Sequence, residues 1–199
     1  MNSHDFPNCL ELWHPLNPQL KQRLLNCVKK QDFKKDAHLL KTGQVCRRIW
    51  YLRKGIVRRY YHYQEKERTT WIEMNGGIIT DMKSINDQRE TEENIQAIED
   101  CETFYIDFFD LLAIYQGYPE FKILLYTISD RRNEKILAHR EALRTDAGSK
   151  YRYLLSNFSE MVNHVPVAYL ASFMDMSIAW FYKFRRAKKK DYKNEKQII

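Results

Sequence analysis

The chain has 199 residues, enough for one large domain or two small ones. Hydrophobic residues make up 44% of it, which excludes wholesale disorder, and no run approaches the ~20 apolar residues needed to span a bilayer. The formal charge of +7 is unevenly spread: from Ile178 onward stand Lys183, Arg185, Arg186, Lys188, Lys189, Lys190, Lys193 and Lys196 against only Asp191 and Glu195. So local a cluster points to a polyanion, nucleic acid before an acidic membrane, with a merely solvated tail as the plain alternative.

The N-terminus, MNSHDFPNCLELWHP, has neither the basic start nor the apolar stretch of a signal peptide, so a cytoplasmic location is expected. Cys9, Cys27, Cys46 and Cys101 form no CxxC pair and have no histidine at ligand spacing. Buried free thiols are expected, with no metal, cluster, disulfide or other cofactor. Catalysis is also disfavoured. The histidines at 4, 14, 38, 62, 139 and 164 make no HExxH, Gly76-Gly77 is a turn and not a phosphate cradle, and no GxSxG elbow occurs.

In chain order, Leu20, Leu24, Leu25 and Val28 form a helical stripe from Asn17 to Lys30, with Asn17-Pro18 as cap and first turn. Short β-type runs follow: HLL at 38–40, RIWYL at 48–52, IVRRYYHY at 56–63, TTWIE at 69–73, ENIQAIE from 93 and CETFYID at 101–107. Thr42-Gly43, Lys54-Gly55, Asn75-Gly76-Gly77 and Asp100 punctuate them, so an antiparallel sandwich, barrel or roll is expected. A short helix from Phe108 to Gln116 stops at Gly117, and Pro119 opens a helix of about seven turns marked by Phe121, Leu124, Leu125, Ile128, Ile136, Leu137 and Leu143. Its polar middle, Asp130 to Lys135, is better explained by dimerisation along part of its length than by packing on its own sheet. After a hinge at Thr145-Asp146-Ala147-Gly148, three helices are expected: Ser149–Met161, Val167–Phe173 and Ser177–Lys188.

The segment VPVAYLASFMDMSIAWFYKFRR, 165–186, reads as a helix-turn-helix. Ala171 allows close approach, and Leu170, Met176 and Phe181 would form the small core between the two helices. The second helix would lie in the major groove, presenting Ser177, Ile178, Ala179, Lys183, Arg185, Arg186 and Lys188 to double-stranded DNA.

The stretches FKKDAHLLKTGQVCRRIWYLRKGIVRRYY (33–61), NIQAIEDCETFYID (94–107), YPEF (118–121) and LRTDAGSKYRYLL (143–155) occur in an order that resembles Crp/Fnr-type transcription regulators over roughly residues 10–187. That resemblance implies an α+β chain. An antiparallel β-roll of double-stranded β-helix or jelly-roll type (1–117) would be followed by a dimerisation helix and hinge (118–145) and a helix-turn-helix domain with a basic tail (146–199). It implies a homodimer, a DNA partner and an effector pocket at Thr80, Asp81, Met82, Glu92 and Asn94.

Relatives that bind cyclic nucleotides clamp the phosphate with an arginine at the end of a short loop and hold the ribose with a glutamate near its start. Here Asp81 stands at the ribose position and Thr91-Glu92 at the place of the clamping Arg-Ser pair, with Arg89 two residues upstream. A carboxylate repels a phosphate, so the pocket holds an unknown small effector or is vestigial, packed by Trp71, Tyr60 and Met82. In the recognition helix the usual glutamate and arginine give way to Ala179 and Lys183, and Trp180 is expected to be buried against a neighbouring helix. A ligand-sensing or protein-interaction module with degenerate DNA recognition is the alternative. Calorimetry with cyclic AMP or cyclic GMP is expected to show no micromolar binding, and such binding would refute the assignment of Thr91-Glu92.

Overall fold

The computed structural model describes the backbone of residues 5–195 and the side chains of 6–186. Helices α1 (Asp5–Glu11) and α2 (Pro18–Cys27) come first. The Asn17 side chain accepts the Leu20 N–H at 2.7 Å and Pro18 presets the first turn, as its sequence implies. Helix α2 stops short of Lys30 because Val28 turns extended and strand β1 (Lys29–Phe33) begins. This strand was illegible in the sequence: among its residues only Phe33 is buried.

Strands β2 (His38–Leu40), β3 (Arg48–Lys54), β4 (Val57–Tyr63), β5 (Lys66–Glu73), β6 (Ile78–Ile79), β7 (Asn94–Ala97) and β8 (Cys101–Asp107) complete two antiparallel sheets, ordered β1-β8-β3-β6 and β2-β7-β4-β5. Phe33, Trp50, Leu52 and Ile79 of the first sheet share one core with Leu40, Val57, Ile95 and Ala97 of the second, giving a jelly-roll-like stack. Gly55 turns β3 into β4 at φ 116°, where a Cβ would come within 2.6 Å of Cys101 Sγ, so only glycine fits. The segment between β6 and β7, expected as loop, carries helix α3 (Met82–Asp87). Asp81 caps it, and Gln88 ends it in the left-handed region. All four cysteines are free and buried.

The rest is helical: α4 (Phe108–Gly117), α5 (Pro119–Leu143), α6 (Ala147–Asn157), α7 (Ser159–His164), α8 (Val167–Phe173) and α9 (Ile178–Glu195). Leu20, Leu24, Phe104, Ile106, Ile114 and Phe121 join α2, α4 and the start of α5 to β8. Helix α5 buries Phe121 and Leu124 near one end and His139 and Ala142 near the other; in its middle Ile128, Ser129 and Arg132 are half-buried, while Asp130, Asn133 and Glu134 are exposed. The break after α5 is tighter than the expected hinge, because Asp146 accepts the Gly148 and Ser149 N–H groups and starts α6 at once. The single helix expected over Ser149–Met161 is two, parted at Phe158. No helix among the described residues is long and apolar enough to cross a membrane.

One core cluster joins the roll to the last helices. Trp71 of β5 meets His139, Phe158 and Phe173 edge to face, with ring centroids 6.0, 6.2 and 5.9 Å away. In the vestigial-pocket alternative Trp71 packs with Tyr60 and Met82; it lies among these three rings instead. Trp71→Ala is expected to lower the unfolding free energy by about 3–5 kcal/mol. Tyr63→Ala, at the exposed end of β4, should change it by under ~0.5 kcal/mol, and urea titration compares the two.

Candidate functional site

Two adjacent arginines on β4 point to opposite faces of the strand, since side chains alternate. Arg58 is 3% exposed: it donates to Gln96 Oε1 at 2.7 and 3.0 Å and pairs with Glu67 at 2.6 Å. Its guanidinium also lies over Tyr60 and over Tyr169 of α8. The β4–β5 hairpin is thereby fastened to α8. Ser172 of α8 accepts the Thr69 N–H at 2.9 Å and donates to the Glu67 carbonyl at 3.2 Å, while Arg68 pairs with Asp175 at 3.2 Å.

Arg59 enters a cleft of about 600 Å³ walled by β4, β5, α5 and α8. It pairs with Glu93 at 2.5 Å, donates to the Thr80 carbonyl at 3.3 Å and lies 4.0 Å from Asp81. The other Glu93 oxygen accepts the Thr70 hydroxyl at 2.7 Å. Asp81 accepts the Thr91 hydroxyl and the N–H groups of Lys83 and Ser84. Burial drives the Asp81 carboxyl upward, but these donors and Arg59 together hold it below the usual carboxylate range. Glu73, bonded to the Trp71 indole N–H, is held above that range by burial, against the pull of Arg132. Arg132 of α5 is pushed down by burial first and by repulsion from Arg59 second.

Of the residues expected to line one effector pocket, Thr80 and Asp81 meet at Arg59, through the Thr80 carbonyl and the Asp81 carboxylate, and the side chains of the others point elsewhere. Thr80 is buried and donates to the Arg48 carbonyl at 3.1 Å. Met82, with Thr80, borders a separate apolar cavity of about 40 Å³ against Ile49 and Phe121. Asn94 is buried and accepts the Thr42 N–H at 3.1 Å. Glu92 is exposed, and the carboxylate that faces the arginines is Glu93, one residue on. Arg59, Glu93, Thr70 and Arg132 were missed. The available signal was VRRYY itself, because two consecutive charges within a strand must put one on the inner face.

Helices α8 and α9 are joined by Met174–Ser177. The Met176 N–H bonds the Ala171 carbonyl at 2.8 Å and the Asp175 N–H the Ser172 carbonyl at 3.2 Å, with Asp175 left-handed at φ 45°. This is a Schellman closure with aspartate in place of the usual glycine. The buried Lys150 ammonium donates to the Asp175 carbonyl at 3.1 Å. Ser177 caps α9 by accepting the Trp180 N–H at 3.2 Å. Leu170 and Phe181 are fully buried between the helices and Met176 half-buried. Ser177, Ile178, Ala179, Lys183 and Arg186 are exposed and Arg185 half-buried, while the side chain of Lys188 lies outside the described residues. Trp180, expected inside, is 46% exposed: it stacks on Phe184 and carries the Lys183 ammonium 4.1 Å above its ring.

Residues 30–118, from β1 through α4, match the family model of the cyclic nucleotide-binding domain, to which this β part is similar. No curated protein matches the chain significantly. The fold is shared with many solved structures, and three of them illustrate what this chain is similar to. FixK2 of Bradyrhizobium japonicum is 11% identical, with 82% of this chain and 85% of that one covered and a TM-score of 0.71. A Crp/Fnr-family transcriptional regulator from Eubacterium rectale is 16% identical, with 92% and 88% covered and a TM-score of 0.71. The c-di-GMP-responsive global regulator CLP of Xanthomonas campestris is 16% identical, with 88% and 93% covered and a TM-score of 0.68. At such identities the likeness shows the fold: an antiparallel jelly-roll-like core, a long helix and terminal helices in the Crp/Fnr arrangement.

His139 sits at the inner wall of the cleft, 5% exposed and stacked on Phe173 at 4.1 Å. Burial pushes its imidazole down from 6.5 to about 4, so it is neutral in the folded chain. The unfolded chain takes up this proton first, so stability present above pH ~6.5 is lost as the pH falls toward 4, by about 3 kcal/mol. His139→Phe is expected to flatten that stretch of a stability–pH profile, and an unchanged slope would refute the assignment.

Proposed function

We propose that this chain is a homodimeric, DNA-binding transcription regulator of the Crp/Fnr type that does not respond to cyclic AMP. The observation that carries this reading is the outer face of α9. Ile178, Ala179, Tyr182, Lys183 and Arg186 are exposed on a helix anchored from behind by Phe181, in a fold shared with regulators over most of the chain. In this reading α8 and α9 are the helix-turn-helix, and α9 lies in the major groove. Ala179 is small enough to meet a thymine methyl, and Lys183 reaches guanine acceptors without the bidentate geometry of an arginine. Arg185, Arg186 and Lys188 contact phosphates, so affinity is strongly salt-dependent.

Dimerisation is assigned to residues 118–145. Along α5, Ile123, Tyr126 and Leu137 are 53, 71 and 59% exposed. With Asp130 and Asn133 between them, they fall at alternating spacings of three and four residues, the seam of a two-stranded coil with a polar centre. Insensitivity to cyclic AMP is supported by the Thr91 hydroxyl on Asp81 and by Glu93 holding Arg59: the clamp position itself, Thr91-Glu92, offers no arginine. Residues 1–117 would then serve as sensor and 146–199 as DNA-binding unit.

The competing reading, a ligand-sensing or protein-interaction module with degenerate DNA recognition, draws on Ala179 standing where a base-reading glutamate is usual. Selection from a random-site library separates the two: an enriched palindrome with half-sites about one helical turn apart supports the regulator, and charge-only binding refutes it. The double variant Lys183→Ala, Arg186→Ala is expected to weaken DNA binding at least about tenfold and to lower the salt slope by roughly 2.

A further inference from the structure

Three rings of the last helices lie in a row that starts inside the chain and ends on the surface of α9. Tyr151 of α6 is 5% exposed and meets Phe181 edge to face, with ring centroids 5.4 Å apart. It stacks on Phe184 at 5.7 Å and 21°, and Phe184 stacks on Trp180 at 5.7 Å and 22°. Separations of about 4.5–7 Å are those of offset aromatic pairs, so each ring holds the next. Phe184 is half-buried and Trp180 exposed, so the row runs outward from the core. The contact between α8 and α9 is closed without Trp180, by Leu170 and Phe181, both fully buried. What Trp180 does hold is a charge, the Lys183 ammonium 4.1 Å above its ring. Residues three and four apart share a helix face, which brings Trp180, Lys183 and Phe184 together. Lys183 forms no ion pair among the described residues, so the indole is what restrains it.

We propose that Trp180 is a positioning residue for base reading: its ring, fixed through Phe184 by Tyr151, places the Lys183 ammonium before any DNA is met and so raises the preference for guanine at the base that Lys183 reaches. The guanine preference rests on the regulator reading above; the placing of the ammonium does not. A lysine is a point charge on a flexible stem, and it lacks the preorganised planar fork with which an arginine meets guanine O6 and N7. The indole restores part of that order. A cation over an exposed indole is favoured about two- to fivefold over one free in solvent, so the stem has less rotamer freedom still to lose on binding. The ammonium carries three N–H donors, and those turned away from the ring are free to donate to a base edge.

Two readouts on the full chain test this. In the free chain, nuclear magnetic resonance should show the methylene protons beside the Lys183 nitrogen upfield of those of the other lysines, shifted by the indole ring current. Trp180→Ala should abolish that shift, and Trp180→Phe, which keeps a ring, should retain part of it. On DNA, the site enriched by the parent chain is titrated against the same site with single guanines replaced by adenine. The guanine concerned is the one whose replacement weakens the parent and leaves Lys183→Ala unaffected. Trp180→Ala should lower the preference for it about two- to fivefold and leave the preferences at other positions unchanged. A preference is a ratio of two affinities, so a variant that merely lowers the folded fraction does not move it. A Lys183 shift equal in parent and Trp180→Ala, the lack of such a guanine in the enriched site, an unaltered preference, or a loss spread over all positions would each overturn the proposal. If the parent enriches no sequence, the regulator reading falls, and the guanine preference with it; the ring-current shift then decides the placing of Lys183 alone.

Discussion

The edge-to-face packing of Trp71 on His139, Phe158 and Phe173 is the contact on which the arrangement of this molecule depends. It joins one strand of the roll to the far end of the long helix, to the joint between α6 and α7 and to α8. An aromatic side chain buries about 150–250 Å², which at ~25 cal/mol/Å² corresponds to about 4–6 kcal/mol of gross hydrophobic gain. The half-exposed pair Arg68–Asp175 beside it contributes ~1 kcal/mol or less. Aromatic burial therefore supplies the attraction, and the polar contacts of Arg58, Thr69, Ser172 and Asp175 set where along α8 the hairpin sits.

The inner arginine of β4 obeys a different logic. A buried ion pair seldom adds net stability over apolar residues of similar shape, because desolvation offsets its Coulomb attraction. Arg59 nonetheless occupies a strand position opposite Trp71, with Glu93, Thr70 and Asp81 arranged around it. The elements that carry these groups are held by the shared core between the sheets, so the charges are fixed by the scaffold and contribute little to it. Arg132 adds a further cation to the same space from a helix that the roll does not contain.

Much of the fold was legible because the strands obey simple rules. HLL and CETFYID are strands with the bounds read from sequence, and Gly55 and Asn75-Gly76 mark turns. What was hidden had physical reasons. β1 shows one buried residue, so its pattern is that of a polar loop; β6 has two residues, too few for any period; α3 depends on Asp81 as cap more than on apolar spacing. The cleft was hidden more deeply, because Arg59, Thr69, Arg132 and Arg140 meet only once the hairpin lies against α5. Trp180 was misplaced for a related reason: its ring is satisfied by Phe184 and Lys183 on its own helix, so it needs no burial. Glu92 and Glu93 stand in the bend before β7, where the first faces solvent and the second turns in to Arg59.

The hairpin's partners Ser172 on α8 and Asp175 just after it stand 103 to 107 residues away along the chain. Such a separation adds little to the equilibrium cost of closure, since each doubling of length costs only about 0.6 kcal/mol. During synthesis the same separation is a matter of time. At ~5–20 residues per second, the roll's own strands can pair while Trp71 waits roughly 5–20 seconds for Phe173 to be made. For that interval the nascent chain carries a bare indole beside Arg68, whose partner Asp175 is still to be made. This is when it is most exposed to association with other unfinished chains, and holding chaperones have most to protect.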